Sequence, residues 1–443
     1  MTESRLAPWL SASRWPTAPI RLVAHLGSGH TPSRSKPEYW ENCTVPWITL
    51  ADVWQLRDGR TNVITETKEM VSTLGLANSA AVKHPAGTVI LSRTASVGFS
   101  AIMGRDMATS QDFATWTCGP DLEPRYLLHA LRGMRRDLKR VSTGSTHKTI
   151  YMPDIEQLRV PLPPLEEQRR IADFLDAETV RIDRVSEARE AQGALLNLML
   201  SQLVDGATAG DAETLKKLGV SCDSADWGFG KVSRLCQVIP GYAFPSDGFL
   251  HTGGTRLLRG INISVDETSW DETVSWDEDK TPTPQRFHLR GGDLVLGMDR
   301  PWISRGMRMT FISGGDLPAL LLQRVACLRP KSAEVDMRYV YWSLRSSRFR
   351  QAVEGELTGV SVPHLSGDQI GGFTFLLPPL STQQDISDRL STHSARIRGL
   401  RSTMNHQVEL LDERRRALIT AAVTGQFDVS TASGRNVTEG VAV

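Results

Sequence analysis

Residues 161–183 read PLPPLEEQRRIADFLDAETVRID, and residues 377–399 read LPPLSTQQDISDRLSTHSARIRG. A shift of 215 lays 162–182 over 377–397 without a gap, and ten of those 21 positions are identical. Leu162, Pro163, Pro164, Leu165, Gln168, Ile171, Asp173, Leu175, Arg181 and Ile182 all recur. The same shift sets Thr143-Gly144 over Thr358-Gly359, Ile155 over Ile370 and Gly210 over Gly425. At a shift of 213, RYLLHALR (125–132) lies over RYVYWSLR (338–345). Such a ladder of matches marks an internal repeat, which constrains architecture before any local feature does. The chain is a tandem duplication of one unit, a globular part followed by a long helix.

The helix is legible in both copies. Proline precedes the first one, and acids fill its opening turn, where the helix dipole favours them. Ile171, Leu175, Ile182, Val185, Leu196, Met199 and Leu203 recur in steps of three and four. So do Ile386, Leu390, Ile397, Leu400, Met404, Leu411 and Leu418 in the second copy. That spacing predicts a coiled-coil seam. A helix of about 40 residues is some 60 Å long, and its apolar stripe needs a partner; the other copy is the obvious one. The acidic first helix and ARIRGLR in the second suit each other electrostatically.

Before each helix the pattern changes. VPWITLADV (45–53), GTVILSRTASVGFSAIM (87–103), TRLLRGINI (255–263) and GDLVLGMD (292–299) are short apolar runs bounded by Gly and Pro, which predicts strands. A helix is expected at about 123–140 and again at 335–350. The expected fold class is α+β: two α+β domains separated by two long helices that pair as an antiparallel coiled coil, a pseudo-two-fold tandem repeat. The expected boundaries are 1–163 and 226–378 for the globular domains, 164–210 and 379–425 for the helical regions, and 426–443 for a flexible tail.

Composition adds limits. The 443 residues are 40% apolar and 23% charged, ordinary for a globular chain. No basic start followed by an apolar run is visible, and no window approaches the apolar length of a membrane span, so a cytoplasmic protein with no membrane partner is expected. The five cysteines are scattered and form no CxxC pair, which predicts buried thiols rather than a disulfide or zinc framework. The net charge of +1 is uneven: residues 1–161 carry 19 Lys/Arg against 14 Asp/Glu, while 162–225 carry 7 against 12. Nucleic-acid binding is compatible with that distribution.

Two variable globular parts, each followed by a PLPPLEEQRRIADFLDAETVRID-like stretch and a long helix, resemble the specificity (S) subunit of type I restriction–modification enzymes. The resemblance covers nearly the whole chain. GSGHTPSRSKPEYW with VPWITLADV looks like the opening of a target-recognition domain, and STGSTHKTIYMPDIEQLRVPLPPLEEQ like its close. The second copy departs from the pattern, since LTGVSVPHLSGDQIGGFTFLLPPLSTQQ lacks the acidic pair and the Ser-Thr-polar loop. The resemblance implies a non-catalytic subunit whose two target-recognition domains each read one half of a split DNA sequence. It implies helices that set the spacing and dock two methyltransferase subunits, with restriction subunits able to join, as in phage defence by restriction and DNA methylation. No cofactor is then bound by this chain; S-adenosylmethionine, and ATP with Mg²⁺, belong to the partner subunits. Half-sites one turn of B-DNA apart lie about 34–36 Å centre to centre, within the reach of such helices.

Specific readout calls for donors and acceptors at base edges, while phosphates accept cations and hydroxyls. In the first domain the candidates are His30, Ser33, Arg34 and Lys36 in GSGHTPSRSK; Arg93; and Ser142, Thr143, Ser145, Thr146, His147 and Lys148 in the Gly-broken loop STGSTHK. The run RGMRRDLKR (132–140) reads as a solvated helix face, with phosphate contact through Arg132, Arg135, Arg136, Lys139 and Arg140 as the alternative. In the second domain they are Arg256, Arg259 and Asn262 in TRLLRGIN, and Arg300, Ser304 and Arg305 around Trp302 in DRPWISR. VDETSWDETVSWDEDK packs seven acids between Asp266 and Asp279, which predicts a hairpin away from DNA or a protein-docking edge. No phosphate-binding G-x-x-x-x-G-K-[ST] loop, adenine-methyltransferase NPPY-type motif or HExxH spacing occurs, so no catalytic or metal residue is expected. Three rivals stay open: the specificity subunit of a methyltransferase-only complex, a nuclease using Asp58, Glu66 and Lys68, and a coiled-coil scaffold with no DNA role.

Overall fold

The first half of the repeat closes on itself through its ends. In a computed structural model, which describes residues 12–142, 148–221, 224–225, 227–355 and 364–431, Thr17–Pro19 pairs antiparallel with Arg159–Pro161. The chain divides into two units: Met1–Ala191 with Met404–Val443, and Gln192–Thr403.

In the first unit, one five-stranded sheet runs in the order Ala24–Ser28, Phe113–Cys118, Val89–Ser92, Ser100–Met103, Val63–Ile64. A second, four-stranded sheet runs Glu69–Val71, Val45–Ile48, Met107–Thr109, Lys83–His84. Val45–Ile48 and Val89–Ser92 are buried at every position, the pattern of strands covered on both faces. The run 87–103 forms two antiparallel strands rather than one, joined through residues 93–99. Helix Pro124–Gly133 starts with proline at its first turn, where no donor is lost. Its Tyr126, Leu127, Leu128 and Leu131 share a core with Ile171 and Leu175 at the start of the first long helix and with Leu418 and Ile419 at the end of the second.

The second unit repeats the plan. Gly228–Lys231 pairs with Thr374–Leu377. A four-stranded sheet runs Cys236–Pro240, Val325–Pro330, Leu294–Gly297, Met309–Phe311, and a three-stranded one Ser275–Trp276, Thr255–Leu258, Ala319–Leu321. In both units the smaller sheet contains one parallel pairing at the same place, Val45–Ile48 with Met107–Thr109 and Thr255–Leu258 with Ala319–Leu321. Helix Met337–Arg345, capped by the Asp336 carboxylate, packs Tyr339, Val340, Trp342 and Leu344 against Leu200 and Val204 at the end of the first long helix and Ile386, Leu390 and Ile397 near the start of the second. Each expected helix at 123–140 and 335–350 is two: the chain breaks at Met134, and at Ser346, whose hydroxyl caps Ser347–Glu354.

Two side-chain links recur. Arg125 reaches Asp173 on the first long helix at 2.7 Å, and Arg338 bonds Asp388 on the second. Tyr126 Oη donates to Pro161 O at 2.9 Å, and Tyr339 Oη to Leu376 O at 3.1 Å. Each unit is thus α+β and tied to the start of its own long helix by the same contacts.

The long helices are Leu165–Thr208 and Leu380–Val423. Each unit packs the start of one with the end of the other, which is antiparallel pairing. Ile171, Leu175 and Ile182 are buried, as are Ile386, Leu390, Ile397 and Leu418; Leu196, Leu203, Met404 and Leu411 are partly covered. Val185, Met199 and Leu400, expected in the seam, are instead exposed at 41%, 48% and 43%. The buried stripe runs through small polar residues that an apolar pattern passes over: Thr179 and Ser186 in the first helix, Ser387 and Ser394 in the second. A helix of 3.6 residues per turn drifts by about 20° per heptad against a strict 3.5 repeat, so one apolar register does not hold over 44 residues. Charge pairing differs too. In the first unit Asp183 of the first helix meets Arg415 of the second, with Arg60 at 3.6 Å. Arg398, within ARIRGLR, bonds Asp266 of the second globular part at 2.8 Å.

Candidate nucleic-acid interface

In the first unit the GSGHTPSRSK loop is pressed onto the strand Met107–Thr109. A Cβ at Gly29 would stand 1.9 Å from the Thr109 carbonyl oxygen, and His30 N donates to that oxygen at 3.1 Å. This approach requires glycine and leaves His30 and Ser33 exposed. Ser33 and Ser35 share a hydrogen bond of 2.8 Å, and Lys36 donates to Tyr39 Oη at 3.2 Å, a bond that raises its pKa. Arg34 is committed elsewhere: it pairs with Glu69 at 2.5 Å and lies 3.7 Å over the Trp40 ring. Its side chain stays 55% exposed.

Arg93 and Lys148, distant in sequence, come together. Ile150 N donates to Arg93 O, and Ala95 N to Lys148 O, both at 2.8 Å. Lys148 is exposed, whereas the Arg93 guanidinium is partly covered and reaches Ile150 O at 3.5 Å. Ser142 Oγ donates back to Lys139 O at 2.6 Å. Thr143, Ser145, Thr146 and His147 lie outside the described residues. The run RGMRRDLKR is divided: Arg136, Lys139 and Arg140 are exposed, whereas Arg132 and Arg135 are half-buried. Arg132 donates to Asn62 Oδ1 at 2.6 Å and Thr61 O at 2.7 Å, and desolvation pushes its pKa down to about 10. Arg135 packs over the Phe99 ring at 4.1 Å.

The second unit buries one expected reader, Asn262, and leaves Arg256 and Arg259 half-exposed. Asn262 is 2% exposed and donates to Ser269 O at 2.9 Å, out of reach of any base. Arg259 bonds Glu272 O, and Arg256 bonds Gly315 O at 3.1 Å while lying 4.4 Å over the Trp270 ring. Asn262 and Arg259 thus supply donors to backbone carbonyls of the acidic run, while Arg256 serves Gly315 and touches the run only through the Trp270 ring. Arg300 is exposed. Ser304 and Arg305 form the tip of a hairpin between Trp302–Ile303 and Gly306–Met307. That hairpin borders a groove with Asn197, Leu200, Ser201 and Val204 of the first long helix, and Arg305 pairs with Glu267 at 3.1 Å. Within the acidic run, Asp266 is held by Arg345 and by Arg398 at 2.8 Å each, so part of the run docks on a helix.

One element escaped the sequence reading. Gly241 repeats the close approach of Gly29: a Cβ there would lie 2.0 Å from Leu322 O. The next residue, Tyr242, is 41% exposed where the first unit has His30. Setting SGHTP over PGYAF at a shift of 212 is the signal that could have found it.

Cys118 and Cys236 have thiols pushed up by burial, to about 12 and about 11. No group of three or more His, Cys, Asp or Glu among the described residues is placed to hold a metal, and no helix among them is long and apolar enough to cross a membrane. Asp58 accepts from Arg60 N at 3.0 Å in a turn, and Lys68 N donates to Asp52 at 2.7 Å.

The family described as "Type I restriction modification DNA specificity domain" matches residues 13–187 and 225–410. The MjaVIII type I restriction enzyme specificity subunit of Methanocaldococcus jannaschii is 25% identical over 309 residues, 70% of this chain and 71% of that one. The EcoAI specificity subunit of Escherichia coli is 33% identical over 165 residues, 37% of this chain and 28% of that one. A solved structure from work on complex assembly and conformational transition of a type I R-M system superposes with a TM-score of 0.69 at 18% identity, covering 93% of this chain and 98% of that one. Two copies of the family's domain, on a duplicated frame with two paired long helices, place this chain among the specificity subunits of type I restriction–modification systems.

Proposed function

We propose that the chain reads a bipartite DNA target, one half-site per unit, and scaffolds the subunits that act on that DNA. The observation that carries this reading is the duplication itself. The links between globular part and helix, Arg125–Asp173 and Arg338–Asp388, recur, while the outward residues change, as His30 does to Tyr242. A shared frame with divergent edges suits a protein that must present two different half-sites to one assembly. The long helices serve as the spacer and as the docking surface for two methyltransferase subunits. Leu195, Leu198 and Met199, exposed at 57%, 54% and 48%, offer one apolar face of the first helix. Restriction subunits complete the assembly. S-adenosylmethionine, ATP and Mg²⁺ act in those partners, and this chain contributes recognition rather than chemistry.

The test is modification-sensitive long-read sequencing of a plasmid library from cells co-expressing the chain with its methyltransferase partner. A split adenine-methylation motif that disappears without the chain is the expected result. An active methyltransferase in a stable complex with no such motif favours a scaffold without DNA specificity.

A further inference from the structure

At one edge of each unit the backbone repeats itself hydrogen bond for hydrogen bond. In the first, Arg93 N donates to Asp112 O and Ile150 N to Arg93 O, both at 2.8 Å, and Thr94 bridges Thr149. In the second, Met298 N donates to Arg324 O at 2.9 Å, Leu365 N to Met298 O at 2.8 Å, and Asp299 bridges His364. The residue that follows is left-handed in both, Ala95 at φ 58° and Arg300 at φ 45°. Residues with a Cβ rarely adopt that conformation, so both copies keep an unfavourable backbone at the same corner. Strain of this kind points to a functional constraint.

The side chains at this corner do not match. Thr94, Asp112 and Thr149 stand in the first unit where Asp299, Arg324 and His364 stand in the second. At one position the charge inverts. Asp112 accepts from Ser110 Oγ at 3.0 Å. Arg324, with 58% of its side chain exposed, donates through Nη1 to Asp299 Oδ1 at 3.3 Å. His364 Nδ1 lies 2.7 Å from the same oxygen, which places its proton on Nδ1. Among the described residues, Nε and Nη2 of Arg324 have no protein partner. A guanidinium held from behind by a carboxylate, with donors left over on its rigid fork, is suited to the paired acceptors O6 and N7 of guanine.

We propose that Arg324, positioned by Asp299 and His364, reads a guanine in the half-site of the second unit, and that this corner is where the two units' base preferences diverge. The inference rests on the specificity reading above. It differs from a phosphate contact, which would add affinity without sequence information.

The test uses the full chain co-expressed with its methyltransferase partner, with long-read mapping of the methylated sequence. Arg324→Gln is expected to make a single guanine position degenerate, cutting its preference over adenine roughly 10- to 100-fold. The other half-site and the assembled complex, seen by size-exclusion chromatography, stay unchanged. Arg324 is itself left-handed at φ 69°, so Arg324→Asn, whose side chain tolerates that backbone better, gives the same result and separates readout from folding. Asp299→Asn lowers the preference at that same base and at no other. An unchanged motif in both Arg324 variants overturns the proposal, as does a uniform loss of methylation across all targets. A wild-type complex that methylates no split motif would overturn the specificity reading itself, and this proposal with it.

Discussion

Gln168 and Gln383, one per copy of the repeat, make the same three hydrogen bonds. Gln168 Nε2 donates to Asp121 O and Pro163 O at 2.9 Å each, and its Oε1 accepts from Glu123 N at 2.9 Å. Gln383 Nε2 donates to Glu334 O at 2.9 Å and Pro378 O at 2.8 Å, and its Oε1 accepts from Asp336 N at 2.9 Å. Both side chains are buried. Each amide pins the first turn of a long helix to the loop that opens the short helix packed beside it.

Replacing Gln168 by Leu therefore strands one buried N–H and two carbonyls. The expected cost is about 2–4 kcal/mol, read by urea denaturation, with a similar loss for Gln383→Leu. A change within about 0.5 kcal/mol in either variant, the range of inert surface substitutions, would show that these bonds contribute little.

Asn262→Ala removes the donor to Ser269 O at a 2%-exposed site. The second unit loses about 1–3 kcal/mol, while the methylated sequence stays the same in every position. A shifted motif at full stability would mean that Asn262 reaches DNA after all.

Helix substitutions separate buried from exposed apolar residues. Leu175→Asp, at a fully buried position, places an unpaired charge in the first unit's core and costs several kcal/mol. Met199→Asp, at 48% exposure, leaves the melting temperature near wild type but weakens co-purification with the methyltransferase. Equal stability losses in the two variants would contradict the exposed placement of Met199.

Acid should destabilise the second unit through Asp316. Burial raises this carboxyl, but hydrogen bonds from Ser313, Thr268 and Trp270 outweigh it and hold it at about 2. An unfolded Asp titrates near about 3.9. The folded state thus binds the proton less tightly, so its contribution is complete above about pH 4 and is lost as pH falls toward 2. That contribution is about 2–3 kcal/mol. Trp270 Nε1 donates to Asp316 at 2.9 Å, so tryptophan fluorescence reports the transition. Asp316→Asn should lower stability at neutral pH and flatten the acid limb between pH values of about 4 and 2.

Lys148→Ala removes an exposed cation beside Arg93. Binding to the target weakens, and the slope of log affinity against log salt falls by about 1, with the motif unchanged. Wild-type affinity across the salt range would remove Lys148 from the interface.

What the sequence determined by itself was the plan: two copies, each a globular α+β part ending in Pro-Pro and a long helix. Repeats and helical periodicity are local, so they survive in one dimension. The identity of Gln168 with Gln383 was visible as letters. Tertiary structure decided which polar side chains are spent inside. Asn262 looks like a base reader in a row of letters, yet it is buried and satisfies the Ser269 carbonyl of a segment brought against it by folding. Arg132, half-buried, donates likewise to Thr61 and Asn62. The corner of Asp299, Arg324 and His364 joins three segments distant along the chain, so no window of sequence contains it. A hydrogen-bond partner is chosen by distance in space, and only the packed sheets set those distances.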